Sequence, residues 1–209
     1  YHWEITRADW RWETGWGNFD PIREAEKIRD HNFRAIYGNW SYLKNNKKEK
    51  YANYELNWVA FIAGKRESRR LMGDVILNQH DLMEPVIYED GFVTTGWDVD
   101  LHFPDSLNSK YYPGQEFISW YEHPKIEPYP IPYRCLYSRN VENLFMAGRN
   151  ISVTHVALGT VRVMRTTGMM GELVGFAAYL CRKYDALPRS IYNDYLQELK
   201  ALVAGEICE

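Results

Sequence analysis

One segment near the carboxyl end of the 209-residue chain constrains its structure more than any other. Four small residues there are spaced by three, four and three positions, which places them on one face of a helix: Gly168, Gly171, Gly175 and Ala178. Each interior glycine costs a helix about 0.5–1 kcal/mol relative to alanine. The sequence therefore predicts a long helix over about residues 167–182, whose small-residue face lies close to another backbone or to a flat ligand.

The start of this helix is predicted to attract an anion or an electron-rich carbonyl oxygen. The first N–H groups of a helix lack intrahelical partners and lie at the positive end of its dipole. Arg162 and Arg165 add positive charge, and Thr166 or Thr167 is expected to cap the helix. The ring of a flavin suits such a site, because its pyrimidine edge carries carbonyl oxygens and gains negative charge on reduction.

A short strand followed by glycine precedes the helix. The letters LFMAGR predict a buried strand at 144–147 that ends at Gly148, where a backbone without a Cβ can approach a phosphate or a ribityl chain. Arg149 is placed to pair with a phosphate, although a tight turn with a surface arginine would give the same letters. His155 lies between this glycine and the helix, either as a structural residue or as a proton donor and acceptor.

The remaining secondary structure is predicted from apolar periodicity and turn residues. Asp20 before Pro21 indicates the start of a helix that runs to about residue 45. Asp90 and Gly91 indicate a hairpin turn between two β-prone runs. Further expectations are a strand or buried segment at 54–64, an irregular connector at 111–133, and a last helix that is capped by Ser190 and ends near Gly205.

Composition argues against several classes of partner. The formal net charge of −3 gives no electrostatic reason to expect nucleic acid or an anionic membrane. No run of about 18 apolar residues is present, so no membrane span is expected. The three cysteines form neither a disulfide framework nor a zinc motif, no metal is predicted, and Cys135 is interpreted as a buried small side chain. The abundant Trp and Tyr residues either line a ligand surface, such as one for sugars, or fill a core.

Most of the chain resembles a known family. The most specific match is residues 131–171, IPYRCLYSRNVENLFMAGRNISVTHVALGTVRVMRTTGMMG, which closely resemble the C-terminal part of the bacterial FAD-dependent oxidoreductase family. The segments WRWETGWG, EAEKIRDHNFRAIYGNWSYLKN and GKRESRRLMGD are similar to it too. The resemblance implies an α/β fold of mixed α+β character, in which a Rossmann-type FAD domain is interrupted by a substrate domain with antiparallel strands. It also implies FAD as the cofactor, faced or supported by one set of residues: Gly148, Arg149, His155, Gly159, Arg162, Met164, Gly168 and Gly171.

The resemblance also implies a domain organisation. Residues 1–130 would form part of a substrate or cap domain, 131–184 the strand and helix that complete the FAD-binding domain, and 185–209 a C-terminal helix. Such proteins need a strand followed by G-x-G-x-x-G, which cradles the pyrophosphate. The nearest imitation, GWGNFD at 15–20, lacks a buried strand before it and ends in an aspartate that would repel phosphate. We therefore expect a missing N-terminal FAD-binding region, either in a longer chain or on a separate polypeptide.

The reaction implied by the resemblance is oxidation of a small-molecule substrate by hydride transfer to the flavin. His155 is the first candidate for acid–base work. Arg66 and Arg69, with Trp12 and Glu13, are candidates for binding the substrate, although the arginines would also suit a surface ion-pair network. The alternative function is a carbohydrate-binding or interaction module without catalytic activity, in which aromatic side chains act as stacking platforms. The sequence predicts no particular compartment.

Overall fold

The fold is that of a computed structural model, which describes residues 19–103 and 119–206. By proximity of Cα atoms the chain separates into two units. Among the described residues, the first unit holds 19–68, 102–103 and 119–121, and the second holds 69–101 and 122–206. The predicted boundaries at residues 130 and 184 concern roles in a complete enzyme, and they stay a prediction.

The described residues form helices and short strands, so the prediction of a mixed α/β fold is confirmed. The helices are α1 (Ala25–Asn46), α2 (Lys48–Tyr51), α3 (Gln79–Met83), α4 (His155–Val161), α5 (Met164–Tyr184), α6 (Pro188–Asp194) and α7 (Leu196–Ala204). The strands are β1 (Gly91–Thr95), β2 (Leu101–Phe103), β3 (Trp120–Glu122) and β4 (Tyr129–Pro132). Strand β1 pairs with β4, and β2 pairs with β3.

Helix α1 dominates the first unit and begins slightly later than predicted. The Oδ1 atom of Asp20 accepts hydrogen bonds from the backbone N–H groups of Ile22, at 2.8 Å, and Arg23, at 3.1 Å. Asp20 therefore caps a turn at 21–24 that leads into the helix proper. At the other end, the Nζ of Lys44 donates to the carbonyl oxygens of residues 51, 52 and 54 and so binds the chain that follows α2.

The predicted strand or buried segment at 54–64 is wrong. This segment contains neither helix nor strand and is largely exposed, with Trp58 77% exposed. A strand is stable only when its N–H and C=O groups pair with a neighbouring strand, and the described residues supply none here. Phe61 is 65% exposed, and its ring makes a cation–π contact with the guanidinium of Arg29, which lies 4.4 Å from the ring centre.

The central sheet of the second unit is built from strands far apart in sequence. Strand β1 is antiparallel to β4, with an irregularity between Gly91 and Val93. The predicted hairpin around Asp90 and Gly91 is therefore wrong, because β1 begins at Gly91 and the residues just before it form a turn rather than a partner strand. The predicted irregular connector at 111–133 is also wrong over 119–133, which contains β3 and β4; its residues 111–118 lie outside the described part of the chain.

Helices cover this sheet and define the core of the second unit. Helix α5 packs against β1, α6 and α7. The core contains fully buried apolar side chains from every part of the unit: Leu77, Ile131, Leu136, Ile151, Leu158, Met170, Leu180, Ile191 and Leu199. The long helix is confirmed and extends over Met164–Tyr184, slightly beyond the predicted limits at both ends. Its buried residues lie opposite the glycine face.

Three local predictions around these helices need correction. The strand expected at 144–147 is reduced to one bridge between Tyr137 and Phe145. The expected C-terminal helix at 185–209 is split into α6 and α7 at Tyr195. Ser190 lies inside α6 rather than at its cap, because Pro188 takes the first turn, where a missing N–H costs nothing. The predicted end near Gly205 is confirmed, with that glycine at φ 71°.

A buried ion pair joins the start of β1 to the end of β4. Asp90 is fully buried, and its carboxylate accepts hydrogen bonds from the backbone N–H, Nε and Nη2 of Arg134 at 2.8–3.0 Å. The guanidinium also lies 4.4 Å from the ring centre of Tyr192, on α6. A carboxylate with three donors has its charge compensated without water, so this pair fixes the sheet and α6 in one arrangement.

A second ion pair lies nearer the surface. Arg189 donates to both carboxylate oxygens of Asp74, at 2.7 and 2.8 Å, and the hydroxyl of Tyr137 donates to the same carboxylate at 2.7 Å. These hydrogen bonds, above all those from Arg189, hold the pKa of Asp74 below its usual range. The carboxylate therefore stabilises the fold in its ionised form.

We expect Arg134→Met to lower the free energy of unfolding by about 3–5 kcal/mol, because it leaves the Asp90 carboxylate buried without a counter-charge. Urea unfolding followed by circular dichroism measures this change. The double variant Asp90→Asn/Arg134→Met removes both charges and should recover part of the loss. A double variant less stable than Arg134→Met would contradict the assigned charge compensation.

We expect Asp74 to contribute to acid stability. Because its pKa is depressed in the folded state, its stabilisation is present above the unfolded-state pKa and is lost as the pH falls through the folded-state value. Asp74→Asn should lower stability by about 1–2 kcal/mol at neutral pH and flatten the loss of stability below about pH 4. Urea titrations at several pH values test this, with Asp194→Asn, at an exposed aspartate, as the matched control.

Candidate functional site

The junction of α4 and α5 is the strongest candidate site in the second unit. Only Arg162 and Val163 separate the two helices. Val163 caps α5 without a side-chain hydrogen bond, and Met164, the first residue of α5, is 90% exposed. Among the described residues, Val163 thus leaves the first N–H groups of this 21-residue helix without an N-cap side-chain hydrogen bond.

The predicted caps of this helix are wrong. Thr166 is buried inside the first turn, and the hydroxyl of Thr167 donates to the carbonyl oxygen of Met164 at 2.9 Å. Hydroxyl groups in a helix interior often bond to a carbonyl of the preceding turn rather than to a terminal N–H group. The positive end of the α5 dipole is consequently left to solvent or to a ligand.

The small-residue face of α5 is open, as far as the described residues extend. Gly168, Gly171 and Gly175 are exposed, and a Cβ built on any of them would meet no other atom within 4 Å. The opposite face is buried in the core, for example at Met170 and Leu173. No packing contact within the described chain explains why three glycines interrupt this helix.

Gly159 has a different role from these three glycines. It is buried in α4, and a Cβ there would lie 2.8 Å from both the backbone N and O atoms of Asp100. Two hydroxyl groups hold the same contact: Thr160 donates to the carbonyl of Trp97, and Thr95 donates to the carbonyl of Thr160 at 3.0 Å. Gly159 therefore allows α4 to pack directly on the backbone that leads from β1 to β2.

The side chain of Arg162 turns toward Asp100. Its Nη2 donates to the carbonyl oxygen of Asp100 at 2.8 Å and lies 3.3 Å from its Oδ2. The Arg162 side chain is only 11% exposed. Its buried Nε has no hydrogen-bond partner among the described residues, so one donor remains for a ligand or for water.

Asp100 also contacts a histidine. The Nε2 of His123 lies 3.5 Å from the Oδ1 of Asp100, and the side chains of His123 and Asp100 are 38% and 15% exposed. Sequence reasoning missed both residues. Asp100 immediately precedes β2 and His123 immediately follows β3, and only the pairing of these two strands brings them together.

A turn that begins at Gly148 precedes α4. Gly148 has φ 97°, which side-chain-bearing residues rarely adopt, and Arg149 next to it is exposed. The segment before the long helix, expected as a loop, contains α4, and His155 is its exposed first residue. Thr154 caps α4 by accepting from the N–H of Ala157. Because α4 has seven residues, His155 lies about 10 Å along the chain axis from Arg162.

The predicted substrate residues are only partly described. Arg66 is exposed in the first unit, and Arg69 is exposed in the second. Trp12 and Glu13 lie outside the described residues. The expectation for Cys135 is confirmed: it is fully buried, and burial raises the pKa of its thiol to about 12, so a reactive thiolate does not form at neutral pH.

These features define a mixed α/β protein. Its helix α5 has a face of exposed glycines, and the residue just before its N-cap, Arg162, is paired with Asp100. The chain belongs to the FAD dependent oxidoreductase family, whose model matches residues 3–202. It is therefore a flavin-dependent oxidoreductase by family, which favours the enzyme over the alternative of a carbohydrate-binding or interaction module. No curated protein and no solved structure matches the chain significantly.

Two structural features are absent from the described residues. None of the helices in that part of the chain is long and apolar enough to cross a bilayer. Within the same residues, no group of three or more His, Cys, Asp and Glu side chains is arranged to hold a metal ion.

Alanine at two of the glycines should change stability in opposite directions. Gly159→Ala forces a Cβ against the Asp100 backbone, so we expect a loss of about 1–3 kcal/mol. Gly171→Ala removes an interior glycine at an open position, so we expect a gain of about 0.5–1 kcal/mol. Urea unfolding of both variants measures the difference, and equal effects would contradict the packing of α4 on Asp100.

Proposed function

We propose that the protein oxidises a small-molecule substrate by hydride transfer to FAD, and that the flavin ring lies at the start of α5. The observation that carries this proposal is the open glycine face, which continues from the uncapped N-terminus of the helix. The family supplies the cofactor, and the helix supplies a flat surface with positive partial charge at one end.

The residues present suit such a group. N–H groups in the first turn of α5 would donate hydrogen bonds to the carbonyl oxygens at the pyrimidine edge of the ring, while Gly168 and Gly171 would let the ring or its chain approach the helix backbone. Gly148, at positive φ, and Arg149 would approach the ribityl chain or a phosphate. When bound, FAD supplies the acceptor for a hydride and two electrons.

The three interior glycines of α5 lower the stability of the helix, which is an argument for a ligand on their face. Interior glycines destabilise a helix by about 0.5–1 kcal/mol each. Gly159 offsets that cost through its contact with Asp100, whereas the three glycines of α5 meet no atom of the described chain. A flat group against this face gives them a physical reason.

The pyrophosphate of FAD would be bound by a region other than the start of α5. The family's G-x-G-x-x-G turn does not occur in the sequence. We propose that residues 131–184 complete an FAD-binding domain whose phosphate-binding region comes from outside this sequence, and that residues 1–130 contribute to the substrate side. Arg66 and Arg69, with Trp12 and Glu13, remain the candidates for substrate contact. His155 remains a candidate for acid–base work.

A bulky residue on the glycine face should prevent flavin binding without unfolding the protein. We expect Gly171→Leu to weaken FAD binding at least tenfold, because the side chain occupies the space next to the helix backbone. The matched control is Gly38→Leu, since Gly38 is also an exposed, interior helix glycine with no atom within 4 Å of its Cβ position. FAD titration, followed by flavin fluorescence and absorbance near ~450 nm, measures both variants.

The titration uses the protein together with the proposed phosphate-binding region. Without that region, weak FAD binding could reflect an incomplete site and not the substitution. Circular dichroism establishes that both variants fold. If Gly171→Leu binds FAD as tightly as Gly38→Leu does, the ring does not lie on this face of α5. A folded wild-type protein that ignores FAD would remove the proposal altogether.

A further inference from the structure

We propose that the backbone edge of residues 144–147 is a docking surface for a strand of the phosphate-binding region, namely the strand that leads into its glycine turn. This inference rests on the proposed function and deepens it, because it names the surface at which the two parts of the cofactor site join. The surface, called the 144–147 edge, consists of the outward backbone N–H and C=O groups of Phe145 and Ala147.

The hydrogen bonds of this segment lie along one of its two edges. The antiparallel bridge to Tyr137 uses the carbonyl oxygen of Leu144, which accepts at 2.9 Å, and the N–H of Met146, which donates at 2.7 Å. Because backbone groups alternate in direction along a strand, Phe145 and Ala147 present their N–H and C=O groups to the opposite edge. Within the described part of the chain, these groups have no hydrogen-bond partner.

The composition of the segment is unusual for an edge that faces water. Its letters, LFMA, include neither a charged residue nor a proline. Natural edge strands that face water commonly carry lysine, proline or a bulge, which prevents pairing with another chain. A short strand that is apolar on both faces is instead typical of a strand with neighbours on both sides. The segment therefore has the composition of an interior strand, with a partner on one side.

Exposed apolar side chains lie at both ends of the segment. Leu71 and Val141 are both exposed. The N–H of Leu71 donates to the carbonyl oxygen of Asn150 at 3.0 Å, just beyond the segment, and the carbonyl oxygen of Val141 accepts from the N–H of Leu144 at 3.3 Å. An added strand would pair with the backbone and cover these side chains at the same time, which is how extended segments dock on a sheet edge.

The position of Gly148 selects the occupant of the edge. This glycine follows the segment directly, with φ 97°, and it is proposed with Arg149 to approach the ribityl chain or a phosphate. The pyrophosphate of the same cofactor is expected on a glycine turn that follows a strand. Two turns that contact one FAD molecule lie side by side when their strands run parallel, about 4.8 Å apart, and end at the same edge of a sheet. The strand before the pyrophosphate turn is therefore the partner that fits.

The test is amide hydrogen exchange, measured at single residues in the 209-residue chain alone and in the FAD-loaded protein that includes the phosphate-binding region. The amides of Phe145 and Ala147 should exchange at least ~100-fold more slowly in the larger protein, because pairing removes their access to water. The amide of Met146 already donates to a carbonyl of this chain and is the internal control, protected in both samples.

A proline variant tests whether hydrogen bonds hold the partner. Ala147→Pro removes one outward N–H group, and no hydrogen bond within the described residues is lost with it. The protection of Phe145 in the larger protein should fall by about tenfold in this variant. The matched control is Ala147→Ser, which keeps the N–H group at a similar side-chain size and should leave that protection unchanged. Circular dichroism establishes that both variants fold, and the wild-type exchange measurement decides the proposal if the proline variant does not.

The outcomes separate the docking surface from the proposed function. Slow exchange at Phe145 and Ala147 in the larger protein alone supports the docking. Exchange that stays fast there while FAD is bound overturns the docking and leaves the proposed function intact. Protection that appears in the 209-residue chain alone and rises with its concentration assigns the edge to a second copy and also overturns the proposal. Slow exchange at both amides in a larger protein that takes up no FAD keeps the docking and removes the proposed function.

Discussion

The contact between Gly159 and the backbone of Asp100 determines the geometry of the candidate site. Because no Cβ separates them, α4 packs directly on the chain between β1 and β2, where Thr160 anchors it. The same contact sets where α4 ends and therefore where Arg162 meets Asp100. The start of α5 follows within two residues. One missing methyl group thus links the sheet, the ion pair and the exposed helix terminus.

The parts of the fold that local physics determines could be predicted from the sequence. The long helix and the turn at Gly205 follow from periodicity and from glycine at a helix end, and both are confirmed. The hairpin at Asp90 was wrong because β1 pairs with the distant β4 and not with the residues just before Asp90. The strand expected at 54–64 was wrong because apolar letters do not guarantee a pairing partner. Long-range pairing was the information missing from the local pattern.

The residues of the candidate site also differ in whether the sequence carries a local signal for them. The glycines of α5 and Gly148 carry recognisable local signals; the structure shows no described atom within 4 Å of a Cβ built on any of them, and Gly148 has a positive φ. Asp100 and His123 carry no such signal, since an aspartate before one strand and a histidine after another are ordinary residues. They become a pair only through the pairing of β2 with β3. The caps expected at Thr166 and Thr167 were wrong because the helix begins at Met164, so both residues lie inside its first turn, where the Thr167 hydroxyl donates to the carbonyl oxygen of Met164.

The ion pair also changes how the charge at the start of α5 should be understood. Arg162 was expected to add positive charge there, but Asp100 offsets much of that charge at close range. The helix N–H groups then supply the positive potential, and they do so as fixed dipoles that need no counter-ion. Such preorganised dipoles also stabilise a negative charge that develops during a reaction. A site arranged in this way suits a ring that becomes negative on reduction, as the proposed function requires. One residue, Asp100, therefore connects the end of α4 to the chain that leads into β2 and offsets the charge beside the helix start.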